Sequence, residues 1–443
     1  MPVYNLSLEI EKDLSKLHKM FDSLLGTKKE AVKPEGNEKE TANKFVCYFQ
    51  NKIENIYETL EVERNRMDNI IESNTELDDN QQELLNEFKV PSLQATQVII
   101  KNAKKTFCDG DPIPIKEICN ASNFSEICKL IHSIVCDSIV LSRFPKSEKV
   151  ASILPTYKGK GDKDDLSSYR PISNLTFVSK IIELSIKEQL CKYLYENDIL
   201  PKEQSAYRKD HSTETAMLAM LNDFLISMDD KKVGILIMLD LSAAFDTVNH
   251  EQLLIDLYNV GLRGRVLDWF QNYLYHRPVY VKLNNSRLEM KILTSGVPQG
   301  SVLGPILFCL YTRKLANILR RHMIKFKLYA DDCQMYLEFG NVRDIRVMEN
   351  KISNVNTEVK KWMTMKYLKL NEEKTVYMYI GKDELVKSLP NVLEICEKTI
   401  KLEKVTKDLG VHIDENLRFD DQISETVRIC NYQLRKIASI KNT

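Results

Sequence analysis

Apolar positions change period along the chain, and each change predicts a different kind of element. In the first 90 residues Leu6, Leu8, Leu14, Leu17 and Met20 form a rough helical stripe. A charged stretch punctuated by glycine and proline interrupts it from Lys28 to Thr41. Glu76 to Glu87 is acidic and lacks the alternation of a strand. This segment reads as helices and polar linker, with no pattern that carries chemistry.

From Asp111 the texture changes. Asp111-Pro-Ile-Pro114 predicts a turn, with helical segments to Leu141. Ala151 to Pro155 predicts a short strand, Lys158-Gly-Lys-Gly161 a mobile basic loop, and Ile172 to Tyr195 a helix. Gly234 to Leu239 is an unbroken apolar run ending at Asp240, the pattern of a strand buried on both faces. Helices follow around Leu253, Leu254 and Leu257, and through Trp269, Phe270, Tyr273 and Leu274. Tyr280 to Leu283 predicts a strand before an Asn-Asn turn, and Leu303 to Leu319 a helix. Lys325 to Phe339 has the shape of a hairpin turning at Asp331-Asp332. Thr375 to Ile380 and Asp408 to Ile413 predict strands, and a helix starts near Asp421.

Composition narrows the class. The 443 residues are 43% apolar and 28% charged, the profile of a globular protein with room for two or three subdomains. No apolar run approaches the roughly 20 residues of a membrane helix, and the N-terminus has no signal-peptide pattern. The expected location is intracellular, in the nucleus, the cytoplasm or both. Ten cysteines without a C-x-x-C pair predict reduced thiols and no zinc site. Cys119, Cys128 and Cys136 fit helix-buried positions better than metal ligands. Net charge is zero, but unevenly spread: residues 1–140 hold 17 basic against 24 acidic side chains, and residues 141–443 hold 46 against 39. A mildly basic body suits a nucleic-acid groove.

Three carboxylates carry the chemistry. Asp240 closes an apolar strand, where desolvation is costly, and Asp331 and Asp332 are adjacent and repel each other. A divalent cation removes both costs. Phosphoryl transfer to a 3′-hydroxyl uses such a centre, with two Mg²⁺ ions about 3.5–4 Å apart. Mn²⁺ is an alternative ion. Taken singly, Asp240 reads as a capping residue and Asp331-Asp332 as a turn; together they favour metal.

At these residues the sequence resembles the reverse transcriptases of non-LTR (LINE-type, jockey-like) retrotransposons. Tyr329-Ala-Asp-Asp332 is similar to the family's third palm motif, and Leu239 to His250 to its first. Ser295-Gly-Val-Pro-Gln-Gly-Ser-Val-Leu-Gly-Pro305 is similar to its second. Ser168-Tyr-Arg-Pro-Ile-Ser173 and Gln204-Ser-Ala-Tyr-Arg208 precede them in the expected order.

The resemblance implies an α+β right-hand polymerase fold. Residues 1–106 would be a helical or linker segment, 107–415 fingers and palm with an antiparallel sheet carrying the YADD, and 416–443 the start of a thumb. It implies catalysis and metal binding by Asp240, Asp331 and Asp332. Lys158 and Arg170 are candidates for gripping the triphosphate, with Lys160 a competitor to Lys158. The backbone N–H groups of Ala243 and Ala244 would meet that triphosphate, and Phe245 would exclude a ribose 2′-hydroxyl. Gly296, Gln299 and Gly300 would lie near sugar and template base, or simply form a helix-opening turn. Leu368 to Thr375 is similar to a fourth palm motif, making Lys374 a possible general acid. Leu409 and Gly410 would grip the primer. Expected partners are an RNA template, a DNA primer or target, and dNTPs, with no membrane; oligomeric state is open.

The pattern also departs from the family. Residues 1–106 lack the catalytic residues of an endonuclease, no RNase H-like acidic set follows, and the thumb looks short. The expectation is an RNA-directed DNA polymerase core of a larger element protein; the alternative is a truncated, inactive nucleic-acid-binding remnant. An RNA-templated RNA polymerase is disfavoured by Phe245.

Overall fold

The computed structural model describes residues 38–67, 83–105, 108–283, 286–287 and 291–441. The Leu6–Met20 stripe and the Asn-Asn turn lie outside these. The first element is a 30-residue helix, α1 (Glu38–Met67). Helices α2 (Leu93–Asn102), α3 (Ile115–Asn120) and α4 (Phe124–Val140) follow. Cys119 lies on α3, and Cys128 and Cys136 lie on α4.

Strand β1 (Ala151–Tyr157) pairs antiparallel with β2 (Tyr169–Asn174). The helix expected from Ile172 starts later, as α5 (Phe177–Glu196). Ile172 is paired with Leu154 in the sheet, and the Thr176 side chain caps the helix by accepting from Ser179 N. A capping box between Ser212 and Thr215 opens α6 (Thr213–Asp229). Next come β3 (Val233–Leu239), β4 (Leu241–Ser242), α7 (His250–Asn259) and α8 (Gly264–Leu274). β5 (Arg277–Leu283) joins β1 in parallel and also pairs with β6 (Ser286–Arg287) and β7 (Lys291–Leu293).

The single helix expected from Leu303 to Leu319 is two, α9 (Gly304–Thr312) and α10 (Leu315–Arg321), broken at Arg313-Lys314. β8 (Lys325–Tyr329) and β9 (Asp332–Phe339) form the hairpin. Tyr329 pairs with Asp332, so the turn is Ala330-Asp331, one residue earlier than expected. Ala330 adopts φ +56°, and Asp332 already belongs to the strand.

α11 (Ile345–Met365), β10 (Lys369–Leu370) and β11 (Val376–Ile380) complete a second sheet in the order β11-β3-β9-β8, antiparallel throughout; β10 pairs separately with β4. β3 is one of its two interior strands and is buried on both faces. Ile235, Ile237 and Leu239 enter the main core, while Leu236 joins Met217, Phe224, Tyr336 and Met378 on the α6 side. Asp408 to Ile413 is not one strand. β14 (Val405–Asp408) and β15 (Val411–Asp414) turn at Leu409-Gly410, whose φ values of +44° and +92° suit a two-residue hairpin. The short helix α12 (Asp383–Val386) and the small hairpin of β12 (Val392–Ile395) and β13 (Lys398–Lys401) precede it, and α13 (Asp420–Lys441) is the last described element. The architecture is mixed α+β. Among the described residues no helix is long and apolar enough to cross a membrane.

One buried polar network ties the layers together. Glu183 of α5 is fully buried, and its Oε2 accepts from the backbone N–H of Val302 at 2.6 Å and Leu303 at 3.0 Å. Tyr273 Oη of α8 donates to Oε1 at 3.2 Å. These bonds satisfy the donors that open α9.

Candidate active site

The sheet register assembles the acidic cluster. Leu239 is opposite Cys333, so the next residue, Asp240, emerges beside the Asp331-Asp332 end of the hairpin. Burial pushes the Asp331 carboxyl above the usual range; the Asp240 charge adds to this and Arg170 opposes it. Asp332 is pushed up to about 6, by burial first and then by Asp331, Asp408 and Asp240. Lys374 Nζ lies 3.8 Å from Asp240 Oδ2. Its segment is docked on the strand end, where Asn371 N–H donates to the Asp240 carbonyl at 2.8 Å.

These carboxylates fit a divalent cation. They repel one another, and a bound cation would offset that repulsion. Among the described residues no group of three or more Asp, Glu, His or Cys side chains is placed to hold a metal ion by itself. Mg²⁺ needs only one or two carboxylates, because it completes its shell with waters and substrate phosphates.

Beyond Asp240 the chain turns sharply. Ala243 takes φ +52°, and its carbonyl accepts from Asp246 N at 2.9 Å and Thr247 N at 3.1 Å. Phe245 stacks on Phe308 of α9 with centroids 4.7 Å apart, so one ring face is packed. The Ser295–Gly300 segment is stitched beneath this turn. Gly296 N donates to Val248 O at 2.7 Å, Val297 N to Phe245 O at 2.9 Å, and Ser173 N to Gln299 O at 2.8 Å. The glycines are explained first by protein contacts. At Gly300, with φ +125°, a Cβ would sit 2.4 Å from the Ser173 carbonyl oxygen. At Gly296, with φ +87°, it would sit 2.8 Å from that of Asp246.

Cations surround this floor. Arg170 is exposed on β2 and Lys160 is exposed in the basic loop. Burial lowers the Lys158 pKa, and Lys52, Lys374 and Arg170 lower it further. Lys52, on α1, escaped the sequence reading. It lines a cavity with Ala243, Asp246 and Gln299. Asp246 is pushed up to about 7 by burial, with Lys52 pulling the other way. Two more residues were missed. His250 is buried with Nε2 2.8 Å from Gly296 O, and Asp408 accepts from Gln334 Nε2 at 2.9 Å. The β14–β15 turn approaches the acidic edge through Asp408. The Leu409 side chain packs into the α6-side core, while a Cβ on Gly410 would meet nothing within 4 Å.

Residues 159–413 match the family model described as reverse transcriptase (RNA-dependent DNA polymerase). The chain belongs to the reverse transcriptase family. It is 29% identical over 308 residues to the "Probable RNA-directed DNA polymerase from transposon BS" of Drosophila melanogaster, covering 68% of this chain and 33% of that one. It is 26% identical to the "RNA-directed DNA polymerase from mobile element jockey" of the same organism, covering 63% and 30%. The "Probable RNA-directed DNA polymerase from transposon X-element", also from Drosophila melanogaster, is 26% identical, covering 70% and 34%. The chain spans about a third of the length of these relatives. The family match contains the acidic edge, Arg170, Phe245 and the Ser295–Gly300 segment of this reverse transcriptase; α1 lies outside it.

Proposed function

We propose that the chain is the RNA-directed DNA polymerase core of a non-LTR retrotransposon, adding dNTPs to a DNA primer 3′-OH on an RNA template. The observation that carries this reading is Asp240 beside Asp331-Asp332 at the end of a buried sheet, faced by Arg170 and Lys374, with Lys158 within electrostatic reach of both cations. In right-hand terms the β1-β2-β5 sheet is the fingers, β11-β3-β9-β8 the palm, and α13 the start of a thumb.

Asp240 and Asp331, with Asp332 completing the set, would hold the divalent ions. Bound there, Mg²⁺ or Mn²⁺ supplies charge neutralisation for the attacking and leaving oxygens. The protein's own groups do the rest. Arg170 and Lys158 draw the triphosphate against the Ala243-Ala244 backbone N–H groups and neutralise it. Phe245, braced by Phe308, stands under the sugar and excludes a 2′-hydroxyl. Gln299 and Gly300 border the sugar and template base. Lys374 is in position to give a proton to departing pyrophosphate, a contribution of roughly 10²–10⁴-fold. Leu409-Gly410 positions the primer end. As part of a retroelement the protein works inside the cell, in the nucleus, the cytoplasm or both.

The test is extension of a DNA primer on an RNA template of defined sequence, with the product sequenced. Complementary DNA is the expected result, and no extension by the parent chain would favour the inactive-remnant reading. Phe245→Ala should raise rNTP incorporation relative to dNTP; unchanged discrimination removes the gate assignment.

A further inference from the structure

Helix α1 carries a buried apolar stripe of Ala42, Phe45, Phe49, Ile56 and Leu60. Between Phe49 and Ile56 the stripe is carried on by half-buried Ile53, and Lys52 sits beside it at the edge of the same face. The helix is anchored on both sides of that lysine. Before it, Phe45 packs edge-on against Tyr169 at 5.0 Å, in one cluster with Phe49 and Val281 of the fingers sheet. After it, Tyr57 stacks on Tyr367 at 4.6 Å and donates to the Thr247 carbonyl at 3.1 Å. Arg64 lies over the same Tyr367 ring at 4.3 Å. α1 therefore spans fingers and palm, with Lys52 over the cleft between them.

In that cleft Lys52 lines the cavity shared by Ala243, Asp246 and Gln299. It is within electrostatic reach of Asp240 and Lys374, and Lys158 senses Lys52, Lys374 and Arg170 together. Four cations from four segments are thus within electrostatic reach of one another, with Lys52 the one of them that lines the cavity. Asp246 and Asp240 offset part of the repulsion that Lys374 exerts on Lys52, and a compact polyanion would offset the rest. A flexible point charge such as lysine suits that task. The space adjoins the Ala243 turn, the position proposed above for phosphate.

We infer that Lys52 of the N-terminal helix binds the triphosphate of the incoming nucleotide, making α1 a wall of the nucleotide site. This rests on the polymerase reading. Lysine contributes a charge-assisted contact, whose removal weakens binding about ten- to a hundredfold.

The experiment compares wild type with Lys52→Met, which keeps an unbranched stem and a good helix former, and with Lys52→Arg. Steady-state dTTP incorporation gives KM, fluorescence anisotropy gives primer–template Kd, and calorimetry gives the affinity for inorganic tripolyphosphate. The expected result is a ten- to hundredfold rise in dTTP KM and tripolyphosphate Kd for Lys52→Met. Lys52→Arg should recover part of it, with primer–template Kd unchanged. Unchanged dTTP KM overturns the inference, whether the variant only melts at lower temperature or loses primer–template affinity instead. Should wild type incorporate no dTTP, the polymerase reading fails while the tripolyphosphate comparison still decides the role of Lys52. Equal affinity in wild type and Lys52→Met then overturns it.

Discussion

Replacing Glu183 by alanine should destabilise the protein by about 3–5 kcal/mol, the range for breaking a buried, hydrogen-bonded charge site from one side. The carboxylate accepts from Val302 N, Leu303 N and Tyr273 Oη; Leu303 and Tyr273 are fully buried and Val302 is half-buried. Each buried donor left without an acceptor costs about 1–3 kcal/mol, and the three are not additive because the cavity relaxes or admits water. Arg277, 1% exposed, also loses its nearby countercharge, and its Nε and Nη2 already lack a hydrogen-bond partner. Glu183→Gln keeps the volume and one acceptor oxygen, so its expected cost is smaller, about 1–2 kcal/mol. Urea unfolding followed by tryptophan fluorescence is well placed to read this, since Trp269 stacks on Tyr273 at 5.4 Å. A loss below about 1 kcal/mol for Glu183→Ala, at unchanged urea dependence, would refute the reasoning. So would equal losses for the two variants.

Gly300→Ala should cost about 1–3 kcal/mol, because φ +125° is strained for any side chain and the new Cβ would strike the Ser173 carbonyl. Thermal melting checks it, and a melting temperature at or above wild type would contradict it. Asp246 contributes a pH dependence whose sign is fixed by its folded pKa of about 7, above the ordinary 3.8. The native state holds the proton more tightly, so this contribution is present below about pH 4 and is lost as pH rises towards 7. Asp246→Asn removes it. Wild type should therefore gain stability relative to the variant between pH 8 and pH 5, and parallel pH profiles would count against the assignment.

The sequence displayed the acidic edge because its local signals agree with the fold. Gly234 to Leu239 reads as a doubly buried strand, and β3 is one, with core on each side. The turn of the YADD hairpin was misplaced by a residue because two aspartates are better turn formers than Ala-Asp, while the pairing of Tyr329 with Asp332 decides otherwise. Leu409 hid a turn inside an apolar run, since Gly410 alone gives a weak signal and the left-handed φ at Leu409 is imposed by the hairpin. The break between α9 and α10 has no glycine or proline to announce it. Lys52 was the largest omission. Its sequence signal is weak, since the apolar stripe continues past it through Ile53. Only the contacts of α1 with Tyr169 and Tyr367 bring it to the cleft, and those partners lie more than 100 residues away in the chain.

The central claim is that the three aspartates form a nucleotidyl-transfer centre. Its most direct test is incorporation of labelled dTTP on poly(rA) primed with oligo(dT), in Mg²⁺, by the wild-type chain and by Asp331→Asn. The substitution removes one carboxylate charge without changing size. The account predicts DNA synthesis by wild type and a loss of at least about 10²–10³-fold in the variant, with primer–template binding retained. Equal synthesis by both proteins would contradict it.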